Sequence, residues 1–69
     1  MLSIMQKVAR NVKRIRIERG LSQQALADKV KIHRVYVAKI EGAVQAPSLE
    51  ILGRLAKALK VKVAELLSD

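Results

Sequence analysis

The sequence predicts an all-helical, compact single domain spanning residues 1–69 and built from five helices. Apolar residues recur at three- and four-residue spacing in the longer segments, the period of a helix with one buried face. Serines and glycines punctuate those segments where helices start and stop. Sixty-nine residues also lie near the lower limit for an independently stable core, so the chain has room for one core and no more. There are no internal repeats, low-complexity stretches or linkers. The one β-favouring run, Val35-Tyr36-Val37, is too brief to override its helical setting.

The first helix follows from Ile4, Met5, Val8, Val12 and Ile15, an apolar stripe with helical period. Lys7, Arg10, Lys13 and Arg14 occupy much of the remaining circumference. Gly20 is expected to end it, because glycine accepts the left-handed conformation that closes a helix C-terminus. A basic amphipathic helix can lie on a membrane surface, but this stripe is shallow and has no aromatic anchors. Ile17 falls off the stripe, either exposed or touching a later helix.

Leu21 to Glu41 reads as two short helices joined by a tight turn. Ser22 is a good N-cap for the first of them, and Leu26, Ala27 and Val30 mark its buried side. A break near Lys31-Ile32 lets the next helix begin at His33 or Arg34. At about 100° per residue, Val37 and Ile40 point inward while Arg34, Val35, Ala38 and Lys39 fill the opposite arc. That arc has two cations, a small residue and a methyl-bearing side chain. It suits the major groove of duplex DNA, where cationic side chains reach guanine edges and methyls meet thymine. It also suits a solvated face in a small bundle, and this helix alone does not separate the two.

Gly42 to Pro47 is a loop without helical pattern. Ser48 then caps a fourth helix, with Glu50 in its first turn and Leu49, Leu52, Leu55, Ala56 and Leu59 as its expected buried stripe. Gly53 inside that helix costs up to about 1 kcal/mol against alanine, marking either close helix approach or a tolerated weak point. Val63 to Leu67 is a last short helix that must pack on something to be stable. Its Val63, Leu66 and Leu67 are expected to offer an apolar surface that a twin subunit can share.

Composition narrows the partners. Fourteen Lys and Arg against six acids leave a net charge of +8 and a pI near 10.5, which suits a polyanion. Tyr36 is the single aromatic, so a stacking platform for single strands is not expected and duplex DNA is favoured. Cysteine is absent, which removes disulfides and thiolate metal sites. No apolar run approaches the roughly 18 residues of a membrane span and no signal-peptide core is present, so a cytoplasmic protein is expected. Catalysis finds no support: His33 is the only histidine, no carboxylates stand at metal-ligand spacing, and nothing would orient a base beside Ser22. No catalytic, cofactor or metal site is expected.

VKRIR..RGLSQQALA, the segment Ile32 to Glu41, and APSLEILGRLAKAL followed by VKVAELL together resemble the helix-turn-helix family of phage repressor and Cro proteins. The likeness covers the chain from about Val8 onward. The short length and the opening Arg34-Val35-Tyr36-Val37 are similar to controller proteins of restriction-modification systems. The resemblance implies a five-helix, lambda-repressor-like domain in which the second and third helices bind double-stranded DNA, usually as a symmetric homodimer.

By that resemblance, Gln23 matches a phosphate-contacting position, Arg34, Val35 and Lys39 match base-facing positions, and Tyr36 matches a position that contacts backbone or base. Arg16 and Glu41 match a paired arginine and glutamate tying the first helix to the third. The chain departs from the family pattern at Lys31, where many members have glycine, at His33, where they have serine or threonine, and at Lys62, where a capping serine is common. Gly42-Ala43 reverses the more usual order, in which the glycine comes second. Two function classes follow: a sequence-specific transcriptional regulator with its recognition helix at about residues 33–41, probing an inverted-repeat operator, and an antitoxin-like protein-interaction module. No small-molecule effector is expected for either.

Overall fold

The computed structural model describes residues 1–69 and contains five helices: α1 (Ile4–Glu18), α2 (Gln23–Val30), α3 (Arg34–Glu41), α4 (Leu49–Leu59) and α5 (Val63–Leu66). Three begin on a serine. Ser22 Oγ accepts from the Ala25 amide and Ser48 Oγ from the Ile51 amide. Ser3 closes a full capping box with Gln6. His33 and Lys62, at the same positions of α3 and α5, make no side-chain cap bond.

The first four helices end in one motif. A left-handed residue follows each, and the next amide reaches back five residues: Leu21 to the Arg16 carbonyl, Ile32 to Ala27, Val44 to Lys39 and Val61 to Ala56. The left-handed residues are Gly20, Lys31, Ala43 and Lys60, with φ of 71°, 64°, 56° and 61°. Only the first is glycine. With the Gly42-Ala43 order the closing motif still forms and the strain falls on Ala43, while Gly42 keeps an ordinary φ of −86°.

Side chains from all five helices meet in one core, with Val12, Leu26, Val37, Leu55, Leu59 and Leu66 fully enclosed. α3 packs on α1 and α2, α4 on α2, and α5 on α1 and α4. Truncating a fully buried leucine such as Leu55 to alanine removes about 2–5 kcal/mol. Three residues of the expected stripes lie outside this core, and one of them, Met5, is half-buried. Ile4 is 68% exposed and Leu49 88% exposed. Ile4 and Leu49 are each the first residue of their helix, where it overhangs the bundle, and packing begins with Val8 in α1 and Ile51 in α4. Ile17 is exposed, and Gly53 faces open space, a weak point and not a close approach.

A buried asparagine binds the end of the chain to α1. Asn11 is 2% exposed, and its amide donates to the Leu66 and Ser68 carbonyls at 3.0 and 2.8 Å. Its own oxygen accepts from Arg14, so the polar group is satisfied inside the fold. Arg10 donates to the Ser68 and Asp69 carbonyls, and Lys7 meets the Asp69 side chain at 2.7 Å. The Lys7 hydrogen bond and charge hold that carboxyl below the usual aspartate value.

Candidate nucleic-acid interface

The arrangement of α3 follows from which of its residues the core accepts. Val37 and Ile40 are buried, which turns Arg34, Val35 and Lys39 out to solvent, with Val35 53% exposed. Ala38 is half-buried among them and keeps the surface of the helix low. Tyr36, at the edge of this arc, is half-buried and packs against the core, so part of its ring is structural. The sequence left open whether this arc was a reading face or a bland one. The structure gives it two exposed cations, no acid, and a rigid mounting.

That mounting is a single guanidinium. Arg16, on α1, meets Glu41, the last residue of α3, through two bonds: Nε to Oε2 at 2.6 Å and Nη2 to Oε1 at 3.0 Å. Its third nitrogen, Nη1, donates to the Leu21 carbonyl at 2.8 Å. The side chains are 11% and 4% exposed, so the pair is withdrawn from water and its geometry is the fork-to-fork match that arginine provides. One side chain thus ties α1, the approach to α2 and the end of α3 together, beside the buried Val37 and Ile40.

Gln23 joins this cluster. Its amide donates to Glu41 Oε1 at 3.2 Å while the residue stays half-exposed as the first of α2. A carboxamide has two donor hydrogens, so one stays free beside the unbonded amides of Gln23 and Gln24. The structure therefore brings Gln23, Arg16 and Glu41 into one network, and sets Arg34, Val35 and Lys39 on one open arc.

The expected apolar surface at the chain end is corrected in one residue. Leu66 is fully enclosed by its own chain, because α5 packs on α1 and α4 along that side. It cannot meet a twin. Val63 and Leu67 remain accessible, at 36% and 37%.

Sequence reasoning did not find Asn11, Arg19 or Arg54 as fold-holding groups. Arg19 Nε donates to the Leu59 carbonyl at 2.9 Å and Arg54 Nη1 to the Val30 carbonyl at 3.4 Å, each satisfying the exposed end of another helix. For Asn11 there was a signal: a small amide inside the apolar stripe of a helix that must contact something. For the two arginines there was none. No helix is long and apolar enough to cross a membrane, and no three His, Asp or Glu side chains converge.

The chain matches the helix-turn-helix family model over residues 12–66. It is 39% identical over 62 residues to the immunity repressor protein of Bacillus phage phi105, covering 90% of this chain and 43% of that protein. It is 36% identical over 67 residues to the control protein C.SmaI of Serratia marcescens, covering 97% of this chain and 80% of that one. The chain spans about half the length of the repressors it matches. Among solved structures it superposes on the master regulator for biofilm formation SinR in complex with DNA, with a TM-score of 0.84, 32% identity, and coverage of 88% of this chain and 98% of that one.

Proposed function

We infer that this chain, which belongs to the helix-turn-helix family, is a sequence-specific double-stranded-DNA-binding transcriptional regulator. The observation that carries this reading is the outward arc of α3, where Arg34, Val35 and Lys39 project from a helix locked to the bundle by the Arg16–Glu41 pair. Base reading needs side chains held in register against the groove, and a helix free to rock could supply only charge. The net charge of +8 supports the sequence-independent part of the affinity. SinR, a relative of similar shape, is described in complex with DNA.

Arg34 and Lys39 approach base edges, with guanine the favoured partner, and Val35 lies against a thymine methyl. Gln23 takes a phosphate while keeping its bond to Glu41, and the exposed part of Tyr36 meets backbone or base. The active species is a homodimer on an inverted-repeat operator, its two recognition helices about 34 Å apart, one turn of DNA. Val63 and Leu67 supply apolar contacts of the dimer, extending over the exposed surface beside α5. The protein works in the cytoplasm.

Selection of bound sequences from random duplexes tests the reading. An enriched inverted repeat, bound with an affinity that falls steeply with salt, is the expected outcome. Recovery of no common sequence would defeat it.

A further inference from the structure

The chain carries a second cationic surface, separate from the outward arc of α3. A cavity of about 560 Å³ opens between the C-terminal turn of α2 and the later part of α4. Lys29, Lys31, Arg54, Lys57 and Lys60 line it, and no acid does. None of Gln23, Arg34, Val35, Tyr36 or Lys39 reaches it. Arg54 is held by Glu50 at 3.0 Å, but the four lysines make no ion pair. A neighbouring hollow shares Lys29 and Lys60 and adds Arg19.

Lysines at helix C-termini have an ordinary reason to exist, since they complement the negative end of the helix dipole. That accounts for Lys29 and Lys57, which lie in the last turns of α2 and α4. The dipole also favours a cation at Lys31 and Lys60, the C-caps of α2 and α4, but it does not offset the backbone strain that a lysine bears there. Both sit in the left-handed conformation, at φ of 64° and 61°, where glycine would be unstrained. Two strained positions on different helices both carry lysine, and both lysines line the same cavity. Gathering like charges around one hollow also raises the free energy of the bare surface, and an anion relieves it.

We propose that this cavity binds a short phosphate chain, inorganic or the oligophosphate of a nucleotide. Its volume falls in the usual range of small-ligand sites, roughly 300–1,000 Å³. Its lysines are point charges spread along two helices, which suits several linked phosphates better than one. The remaining lining residues, Val30 and Ala58, offer no ring or carboxamide to read a base, so recognition rests on the phosphates. No local pattern in the sequence points to a small-molecule effector, because this hollow forms only when α2 and α4 pack together.

The test is calorimetric titration of the full chain with inorganic tripolyphosphate at about 0.15 M salt. The site variant is Lys57→Gln with Lys60→Gly, which removes two lining cations and relieves backbone strain at the second. Lys31 is retained because it adjoins α3. The control, Lys13→Gln with Lys62→Gln, removes the same charge from exposed residues outside both hollows. One tripolyphosphate per chain is expected, bound at least about tenfold more weakly by the site variant and within about twofold by the control. Orthophosphate is expected to bind much more weakly than tripolyphosphate. Equal weakening in both variants would mean diffuse attraction to a basic protein and overturn the proposal. Absence of one-to-one binding, or full retention in the site variant, would do the same.

Discussion

Arg16 and Glu41, twenty-five residues apart, meet through two parallel hydrogen bonds of 2.6 and 3.0 Å at the edge of the core. The pair is sheltered enough that removing one partner leaves the other charged and poorly solvated. Arg16→Ala is therefore expected to cost about 3 kcal/mol or more in urea unfolding, well above the loss from a solvent-exposed ion pair. A loss below about half a kilocalorie would show that the pair contributes no more than a surface contact. Arg16→Lys keeps the charge without the fork and is expected to recover only part of the stability.

Ala43 is the cleanest place to test the strained helix ends, since its replacement changes no charge. It sits at φ 56° with its Cβ in the left-handed region. Strain of about 1–2 kcal/mol opposes the 0.4–1 kcal/mol by which glycine's extra freedom favours the unfolded chain, so Ala43→Gly is expected to be neutral or up to about 1.6 kcal/mol stabilising. Lys31→Gly and Lys60→Gly are expected to behave alike in thermal unfolding. Clear destabilisation at Ala43 would contradict the left-handed end of α3.

Asn11 holds the chain end through the Leu66 and Ser68 carbonyls. In Asn11→Ala those acceptors lose their donor, one of them in a buried contact. The expected loss is about 1–3 kcal/mol, with amide exchange quickening first in α5. Unchanged exchange there would mean that α5 is held by Leu66 packing alone.

Arg34→Ala separates base reading from charge. On the selected operator it is expected to cost about 1–3 kcal/mol and to relax preference at one base pair, as titrations with single-position operator variants would reveal. An equal loss on operator and random duplexes would make Arg34 a phosphate contact.

Dimerisation is expected to weaken in Val63→Ser with Leu67→Ser, with the fold retained because both side chains are partly exposed. Sedimentation of the unaltered chain as monomers at high concentration, with and without DNA, would remove the twin altogether.

Much of this architecture was legible because it is periodic and local. The stripes of Val8, Val12 and Ile15, of Leu26, Ala27 and Val30, and of Leu52, Leu55 and Leu59 are buried as the spacing requires. Ser22 and Ser48 cap as serines do, and the inward turn of Val37 and Ile40 sets the outward arc of α3. The pairing of Arg16 with Glu41 came from the family likeness, since no local period records it.

Where periodicity misled, the reason is that a stripe does not know where its partner ends. Ile4 and Leu49 continue their helices' apolar spacing but overhang the bundle, while Leu66 is drawn fully inside by contacts with α1 and α4. The sequence by itself determined the helices, their caps and the face each turns inward, since those depend on neighbours three or four residues away. Tertiary structure alone decided what depends on distant segments: the partners of Asn11, Arg19 and Arg54, the Gln23 bond to Glu41, and the lysine-lined hollow between α2 and α4. These are meetings of groups brought together by packing, and no local period records them.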